Sequence, residues 1–334
     1  MKKPYLIFSL LATGICIACI GGCNADKPYK HDSFTFDTFV SFTIYSTDNN
    51  SSAEEICAGA VEMLNKLDDT LSRTKSDSEI SKINENASSS AAIDATTYNL
   101  LKSCIELSEL TDGAFDITLG NISDIWGFGK ENTEKPDEAE LAELAGKHNY
   151  RNIVFDDEKY TVSFSGEDFT LDLGAAAKGY AMDMLDSYLR KSGVTSAVVD
   201  FGGSILTIGK NDGSSWNITI TADETNTPVG TLTVNEGYIA TSNGAKRYVE
   251  YDGVKYHHII DPATAYPADS GIKSCTVYSA SGLISDALST AFFVMGEEKT
   301  KHFCERYDIA EYIITRNDGT VAVSDGIAGD FKAS

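Results

Sequence analysis

Basic residues are scarce in this 334-residue chain: 27 Lys and Arg stand against 50 Asp and Glu, a formal net charge of −23. A surface that negative repels nucleic acid and anionic lipid headgroups, so proteins that bind those partners through charge are excluded. Any phosphate must then be held locally, by a cation or by backbone amides. Cysteine patterns for zinc are missing as well. With Cys16, Cys19 and Cys23 set aside in the N-terminal segment, Cys57, Cys104, Cys275 and Cys304 are scattered, with no CxxC and no metal spacing. They are either buried free thiols or disulfide partners whose pairing the sequence does not give. No repeat of 20–50 residues and no long low-complexity tract occurs, which excludes solenoids and arrays.

One apolar run does occur, at the start. Residues 1–23 open with Lys2 and Lys3, continue through an apolar stretch and end in small residues before Cys23. That is the layout of a secretory signal. The alternative is a membrane anchor: residues 5–22 as a helix would reach about 27 Å at ~1.5 Å per residue, against ~30 Å of hydrocarbon, so length does not decide. The local chemistry favours the first reading. "IGGC" resembles a bacterial lipobox, in which the chain is cut before the cysteine and the thiol is lipidated. One acyl chain anchors only marginally at ~0.8 kcal/mol per buried methylene, whereas a diacylated Cys23 holds durably. The expected organisation is a signal peptide over 1–22, a polar tether over 23–33 and one domain over 34–330. Without Lys2 and Lys3 the net charge becomes −25.

Strand and helix signals are grouped rather than alternating. "FTFDTFVSFTIYS" reads as a strand and "SAEEICAGAVEMLNKLDDTLS" as a helix capped by Ser51 or Ser52. "TTYNLLKSCIELSELTDG" is a second helix, and "DEAELAELAGKH" a short one. Residues 150–174 read as a strand-rich meander ending in an apolar strand, and "GYAMDMLDSYLRKSG" as a helix. Strands follow in "SAVVDFGGSILTIG", "WNITITA", "GTLTVNEGYIATSN" and "KSCTVYSA", then the helix "SDALSTAFFVMG" and a hairpin turned at Asn317-Asp318-Gly319. This grouping predicts an α+β fold with mixed or antiparallel sheets and argues against a doubly wound one.

Four stretches could carry chemistry. In "LDLGAAAKGYAMD" (171–183) a small-residue turn leads into a helix near Gly179; free amides and Lys178 there would suit a phosphate, or the turn is an ordinary strand-to-helix joint. It matches neither a Walker A loop nor GxGxxG. In "YHHIIDPATAYP" (256–267) an extended backbone sends His257 and His258 to opposite faces, so at most one enters a given site, as proton acceptor or donor; otherwise both are packed or solvated. In "SDALSTAFFVMG" Asp286 and Thr290 stack four apart on one helical face. Hard oxygens suit magnesium or calcium, completed by a backbone carbonyl, water and a substrate phosphate. The alternative is that Asp286 complements the helix dipole and Thr290 bonds back to the 286 carbonyl. In "TDGAFDITLGNISDIWGFGK" (111–130) Phe115 and Trp126 line a ring pocket or belong to the core, and Asp116 could bond a heterocycle.

Together with three further segments these stretches resemble one family, the ApbE-type FAD:protein FMN transferases. Its pattern stands here, in order, as Phe36-Asp37-Thr38, "SEISKIN" (78–84), "TDGAFDIT" (111–118), "DLGAAAKGYAMD" (172–183), "GGSI" (202–205), "HIIDPATAYP" (258–267) and "SDALSTAFFVMG" (285–296). The resemblance implies an ApbE-like, T-fold-like architecture, with sheets flanked by helices. It also implies a lipid-anchored enzyme on the outer side of a bacterial cytoplasmic membrane, binding FAD and Mg²⁺. A Ser or Thr hydroxyl of an acceptor, such as an extracytoplasmic redox protein, would take FMN, and AMP would leave. Carried over by position, the metal ligands are Asp286, Thr290 and the Ala175 carbonyl. FAD contacts are Phe36, Ala114, Phe115, Asp116, Asp172, Lys178, His258 and Ile260. On chemical grounds the catalytic residues are Lys178, which helps to neutralise the pyrophosphate, and His258, which orients or deprotonates the incoming hydroxyl. Some positions depart from the pattern. Ala265 replaces a glycine, so a different loop is expected if a positive φ is needed there. Phe36 replaces Met, Ala175-Ala176 replace Gly-Ile, and Thr74 stands where the family often has an aromatic residue against the cofactor. Loss of that ring would favour hydrolysis of FAD to FMN and AMP. A flavin-binding lipoprotein without catalysis is the remaining alternative. No acceptor motif is present in the chain itself.

Overall fold

The computed structural model describes residues 27–48, 52–85, 90–130, 134–147, 149–165, 170–223, 225, 227–245 and 247–334. The signal segment and Cys23 lie outside them. Eight strands form the central sheet: β1 (Tyr29–Thr35), β2 (Thr38–Thr47), β6 (Val194–Phe201), β7 (Ser204–Ile208), β10 (Gly237–Asn243), β13 (Ile272–Ser279), β14 (Glu311–Arg316) and β15 (Val321–Val323). They lie in that spatial order, each antiparallel to its neighbours. The expected α+β fold with antiparallel sheets is what the chain forms. Strand β1 lies partly within the segment read as a tether, where Tyr29 pairs with Ile44.

Helices α1 (Ala53–Leu71), α3 (Ala95–Leu110), α6 (Ala177–Lys191) and α7 (Gly282–Met295) bury their apolar faces in one core with one side of this sheet. On the other side, Val198, Ile205, Ile239 and Ile313 meet a three-stranded sheet of β16 (Phe331–Ala333), β9 (Pro228–Val234) and β8 (Trp216–Thr221). Coverage on both faces is why β6 reads as the near-continuous apolar run "SAVVDF". A third cluster around Trp126 joins α4 (Gly120–Trp126), α5 (Glu138–Leu144), the hairpin of β11 (Tyr248–Tyr251) and β12 (Val254–His257), and the 260–266 loop. Strands β3 (Ala91–Ala92), β5 (Thr161–Phe164) and β4 (Ile153–Asp156) make a small further sheet, and α2 (Glu79–Glu85) and α8 (Glu297–Arg306) complete the helices described.

Local chemistry sets the ends. Ser52 caps α1 in a full capping box with Glu55. Two expectations fail. "FTFDTFVSFTIYS" is not one strand but a hairpin, turned at Phe36-Asp37 with φ of 51° and 54°. Two positive φ values make the turn whose twist matches paired strands, a place where Asn-Gly is preferred. The apolar strand expected before Gly174 is also absent. Thr170 makes only an isolated bridge to Leu119, and the Asn84 side chain both donates to and accepts from the Leu171 backbone.

All four described cysteines are free thiols, three of them buried. No described helix is long and apolar enough to cross a membrane.

Candidate active site

The β1–β2 turn, the Gly202-Gly203 turn between β6 and β7, and the end of β10 share one edge of the central sheet, as the registers Val40↔Phe201, Phe201↔Ser204 and Ile205↔Ile239 require. Phe36 packs edge-on against Phe201 at this edge, with ring centroids 5.6 Å apart. The site grows from there onto two crossing helices.

α6 and α7 cap one another. Asp183 on α6 accepts from the backbone N–H groups of Gly282 (2.7 Å) and Leu283 (2.9 Å) and from the Ser281 hydroxyl (3.0 Å), which engages the free amides that begin α7. In return Asp286 Oδ2 on α7 accepts from the Gly179 N–H of α6 at 2.9 Å. Glycines make the crossing this close. A Cβ on Gly179 would lie 2.3 Å from the Gly282 carbonyl oxygen, and a Cβ on Gly282 would lie 2.3 Å from that of Gly179. Burial raises the Asp183 carboxyl above its ordinary range, against the pull of its own hydrogen bonds.

Asp286 is 5 % exposed, and its second oxygen lies 3.6 Å from Lys178 Nζ. The Gly179 amide, taken by Asp286, is the one that a regular helix would give to the Ala175 carbonyl. Among the described residues no hydrogen bond reaches that carbonyl. Thr290 Oγ1 meets Ser242 Oγ at 3.0 Å, and it is Ser289, not Thr290, that bonds back to the 286 carbonyl. The capping alternative therefore fails for Thr290. The phosphate cradle is also narrower than the sequence suggested, since the Gly179 amide is already engaged. What remains is a buried carboxylate that takes the amide a regular helix would give to the Ala175 carbonyl, and a hydroxyl one turn further along α7; by donor chemistry these hard oxygens fit a magnesium-type ion. No group of three or more His, Cys, Asp or Glu side chains suited to a metal occurs among the described residues; this donor set draws on one carboxylate only.

The histidines separate by their partners. His257 Nε2 meets the Ala268 carbonyl at 3.1 Å, and its Nδ1 accepts from the Ile259 N–H at 3.3 Å. Both its ring nitrogens are engaged by protein. His258 Nδ1 meets the Arg247 carbonyl at 3.0 Å, so Nδ1 carries the proton and Nε2 keeps a lone pair. Burial lowers the His258 pKa from 6.5 to about 4, and the charges of Arg247 and Lys178 push the same way. The ring is therefore neutral at pH 7.

The remaining candidates divide. Asp172 Oδ1 accepts from the Gly174 N–H at 2.9 Å, and Oδ2 lies 3.7 Å from Arg73 Nε. Asp116 accepts from the Thr118 N–H and hydroxyl through Oδ1 and from the Tyr150 N–H through Oδ2, so it first braces its own turn. Phe115 and Trp126, read as possible ring-pocket walls, are core residues at 2 % and 0 % exposure. Trp126 donates its indole N–H to the Ala265 carbonyl. Ile260 is buried and bridges to Pro267. Ala114, Asp116 and Asp261 border a cavity of about 750 Å³, which is also lined by Val294 and Met295, on α7 beyond Thr290. Ala265 has φ of 59°: the loop keeps the left-handed turn that the alanine was expected to forbid. Thr74 is exposed and its hydroxyl meets Ser72. Beside it Arg73, which sequence reasoning passed over, donates to the Gly120 carbonyl (3.0 Å) and pairs with Asp124. Asp183 stood inside a quoted motif without a role, and Ser242 gave no signal.

Fold and site thus define a class: an antiparallel α+β domain presenting hard oxygens and a lysine at a glycine-tight helix crossing. The sequence profile of the ApbE family matches residues 36–314. The chain belongs to that family. Among its relatives are proteins named FAD:protein FMN transferase from Vibrio cholerae, 34% identical over 77% of this chain and 78% of that one, and from Haemophilus influenzae, 32% identical over 95% and 94%. The solved ApbE protein of Thermotoga maritima superposes with a TM-score of 0.84 at 32% identity, covering 91% of this chain and 99% of that one. The flavin transferase ApbE of Vibrio cholerae superposes with a TM-score of 0.80 at 28% identity over 91% and 99%.

Proposed function

We propose that the chain is a Mg²⁺-dependent flavin transferase that moves FMN from FAD to a Ser or Thr hydroxyl of an acceptor protein and releases AMP. The observation that carries this reading is that buried Asp286 takes the Gly179 amide, which leaves the Ala175 carbonyl unbonded among the described residues, and lies 3.6 Å from Lys178. Family membership and the names of the relatives support it. When bound there, Mg²⁺ supplies charge neutralisation for the pyrophosphate and polarises its phosphoryl oxygens.

The chain's own residues do the rest. Lys178 places a positive charge over the bridging phosphates, which an acidic body would otherwise repel. His258 Nε2 takes the proton of the incoming hydroxyl; general-base help of this kind is worth roughly 10²–10⁴-fold. The acceptor oxygen bonds to the phosphorus on the riboflavin side, the bond to the AMP phosphate breaks, and AMP leaves with the electron pair. Phe36, Ala114, Asp116, Asp172 and Ile260 border the nucleotide, with Phe115 contributing backbone.

Hydrolysis, with water as the nucleophile, is the second reading. It rests on Thr74, which is exposed and offers no ring to hold the flavin. One assay separates the two: FAD, Mg²⁺ and a Ser/Thr acceptor are mixed with the protein, and AMP and the acceptor mass are followed. AMP with a flavin adduct supports transfer, AMP alone supports hydrolysis, and intact bound FAD refutes both. We further propose that Cys23 is diacylated and holds the enzyme on the outer face of the cell membrane. Labelled fatty acid should enter the full chain and not its Cys23→Ala variant.

A further inference from the structure

Three hydroxyls link β10 to α7. Ser289 Oγ donates to the Asp286 carbonyl at 2.9 Å, Ser242 Oγ lies 2.8 Å from Ser289 Oγ, and Ser242 Oγ lies 3.0 Å from Thr290 Oγ1. Each hydroxyl has one proton. A carbonyl can only accept, so the proton of Ser289 is committed to it. The Ser242–Ser289 bond must then use the proton of Ser242, and the Ser242–Thr290 bond must use that of Thr290. The whole chain of bonds points one way, from Thr290 through Ser242 and Ser289 to the Asp286 carbonyl. Thr290 is left with lone pairs for whatever stands on its other side.

We propose that Ser242 is a positioning residue that turns the Thr290 hydroxyl so that it offers oxygen, not hydrogen, to the cation. This rests on the metal reading given above. Partners that orient a ligand from behind are commonly worth 10–100-fold in metal affinity. The Ser242 register explains its placement: it pairs with Cys275 in the sheet, directly under the turn of α7 that carries Ser289 and Thr290.

The test is Mn²⁺ binding to the full chain, followed by electron paramagnetic resonance, with the melting temperature measured on each variant. Ser242→Ala should weaken Mn²⁺ binding roughly tenfold or more, and Ser242→Thr, which keeps a hydroxyl, should restore it. Ser289→Ala alters no proposed ligating atom, since its hydroxyl reaches the backbone carbonyl of Asp286 and not the carboxylate, and it favours the helix. It should nevertheless weaken binding, because Ser242 is then free to donate to Thr290 and turn that proton outward. In a Thr290→Ala background neither serine change should matter further. If the parent binds Mn²⁺ and loses it with Thr290→Ala, while Ser242→Ala and Ser289→Ala bind like the parent, the positioning role is refuted and the metal reading stands. If the parent binds no better than Thr290→Ala, the metal reading itself fails and the inference falls with it.

Discussion

A single methyl group at the helix crossing tests the architecture of the site. In Gly179→Ala the new Cβ would lie 2.3 Å from the Gly282 carbonyl oxygen and 2.6 Å from Asp286 Cβ. Carbon and oxygen settle at roughly 3.3 Å, so α6 and α7 must part by about 1 Å. The obstacle is backbone, which cannot rotate aside. Overpacking of this kind costs ~1–3 kcal/mol. Alanine recovers up to ~1 kcal/mol of helix propensity over glycine. With the full recovery the net loss is about 0–2 kcal/mol, and we take the upper half of that range because the obstacle is backbone. For a domain of this length, with ~2.1 cal/mol/K of unfolding entropy per residue, that lowers the melting temperature by only about 2–3 °C.

Function should suffer far more. Asp286 would move with its helix, away from the Gly179 amide and the Ala175 carbonyl. A 1 Å misplacement can remove on the order of 10²-fold in rate. The expected pattern is a small thermal shift with a large loss of FAD turnover, measured by calorimetry and AMP release. Gly282→Ala should do the same, and the double variant should cost less than the two singles combined, since one separation relieves both contacts. A melting temperature at or above that of the parent, with turnover within about threefold, would refute the claim that this crossing sets the site.

Asp286→Asn and Thr290→Ala should each lower Mg²⁺ affinity and turnover while unfolding close to the parent temperature; full turnover by the parent in excess chelator would count against both. His258 has a pKa lowered from 6.5 to about 4. The unfolded chain therefore takes up a proton there below pH 6.5 that the folded chain refuses until about pH 4, so stability should rise with pH across that window. His258→Gln should flatten the rise in urea titrations at pH 4.5 and 7, and an unchanged slope would contradict the assignment. Ala265→Gly should sit within about 1 kcal/mol of the parent: relief of left-handed strain of ~1 kcal/mol is offset by a lost buried methyl of ~0.8 kcal/mol and by glycine entropy of ~0.5–1 kcal/mol. A gain above 2 kcal/mol in chemical denaturation would show that the strain argument is incomplete.

What could be read from the sequence was what period and spacing encode. α7 was legible from Ala291 to Met295 and from the four-residue offset of Asp286 and Thr290; a serine cap on α1 was legible at 51 or 52, and the structure selects Ser52 through its box with Glu55. The hairpin at Phe36-Asp37 was not, because Phe36 is an unusual occupant of a positive φ, a lone Asp without a following glycine is a weak turn signal, and the apolar alternation runs straight through the turn. Ala265 misled in the same way: the loop is held by the Asp261 carbonyl and by Trp126, and these tertiary contacts override the preference of alanine. Asn84, Arg73, Asp183 and Ser242 were invisible as site residues because each acts across the fold, on Leu171, on Asp172, on α7 and on Thr290.

The carboxylates of the site resolve how so acidic a chain can approach a dinucleotide. Asp116, Asp172, Asp183, Asp261 and Asp286 all accept from backbone N–H groups, at Thr118, Gly174, Gly282, Ala263 and Gly179. Their negative charge is turned inward, onto amide dipoles that would otherwise be unsatisfied. The cations nearby are disposed differently. Lys178 is 31 % exposed and reaches Asp286 only at 3.6 Å, while Arg247 and Lys178 both press on the His258 ring. Each of these carboxylates is thus held by an amide, while Lys178 keeps its ammonium partly open to solvent at the crossing. It follows that removing the positive charge should hurt more than adding a negative one elsewhere: Lys178→Met should raise the KM for FAD steeply and make it less sensitive to salt, whereas an exposed Lys→Glu change remote from α6, such as at Lys301, should leave KM unmoved at physiological ionic strength. Equal effects of the two changes on KM would mean that the net charge of the body, and not the arrangement at the crossing, governs nucleotide binding.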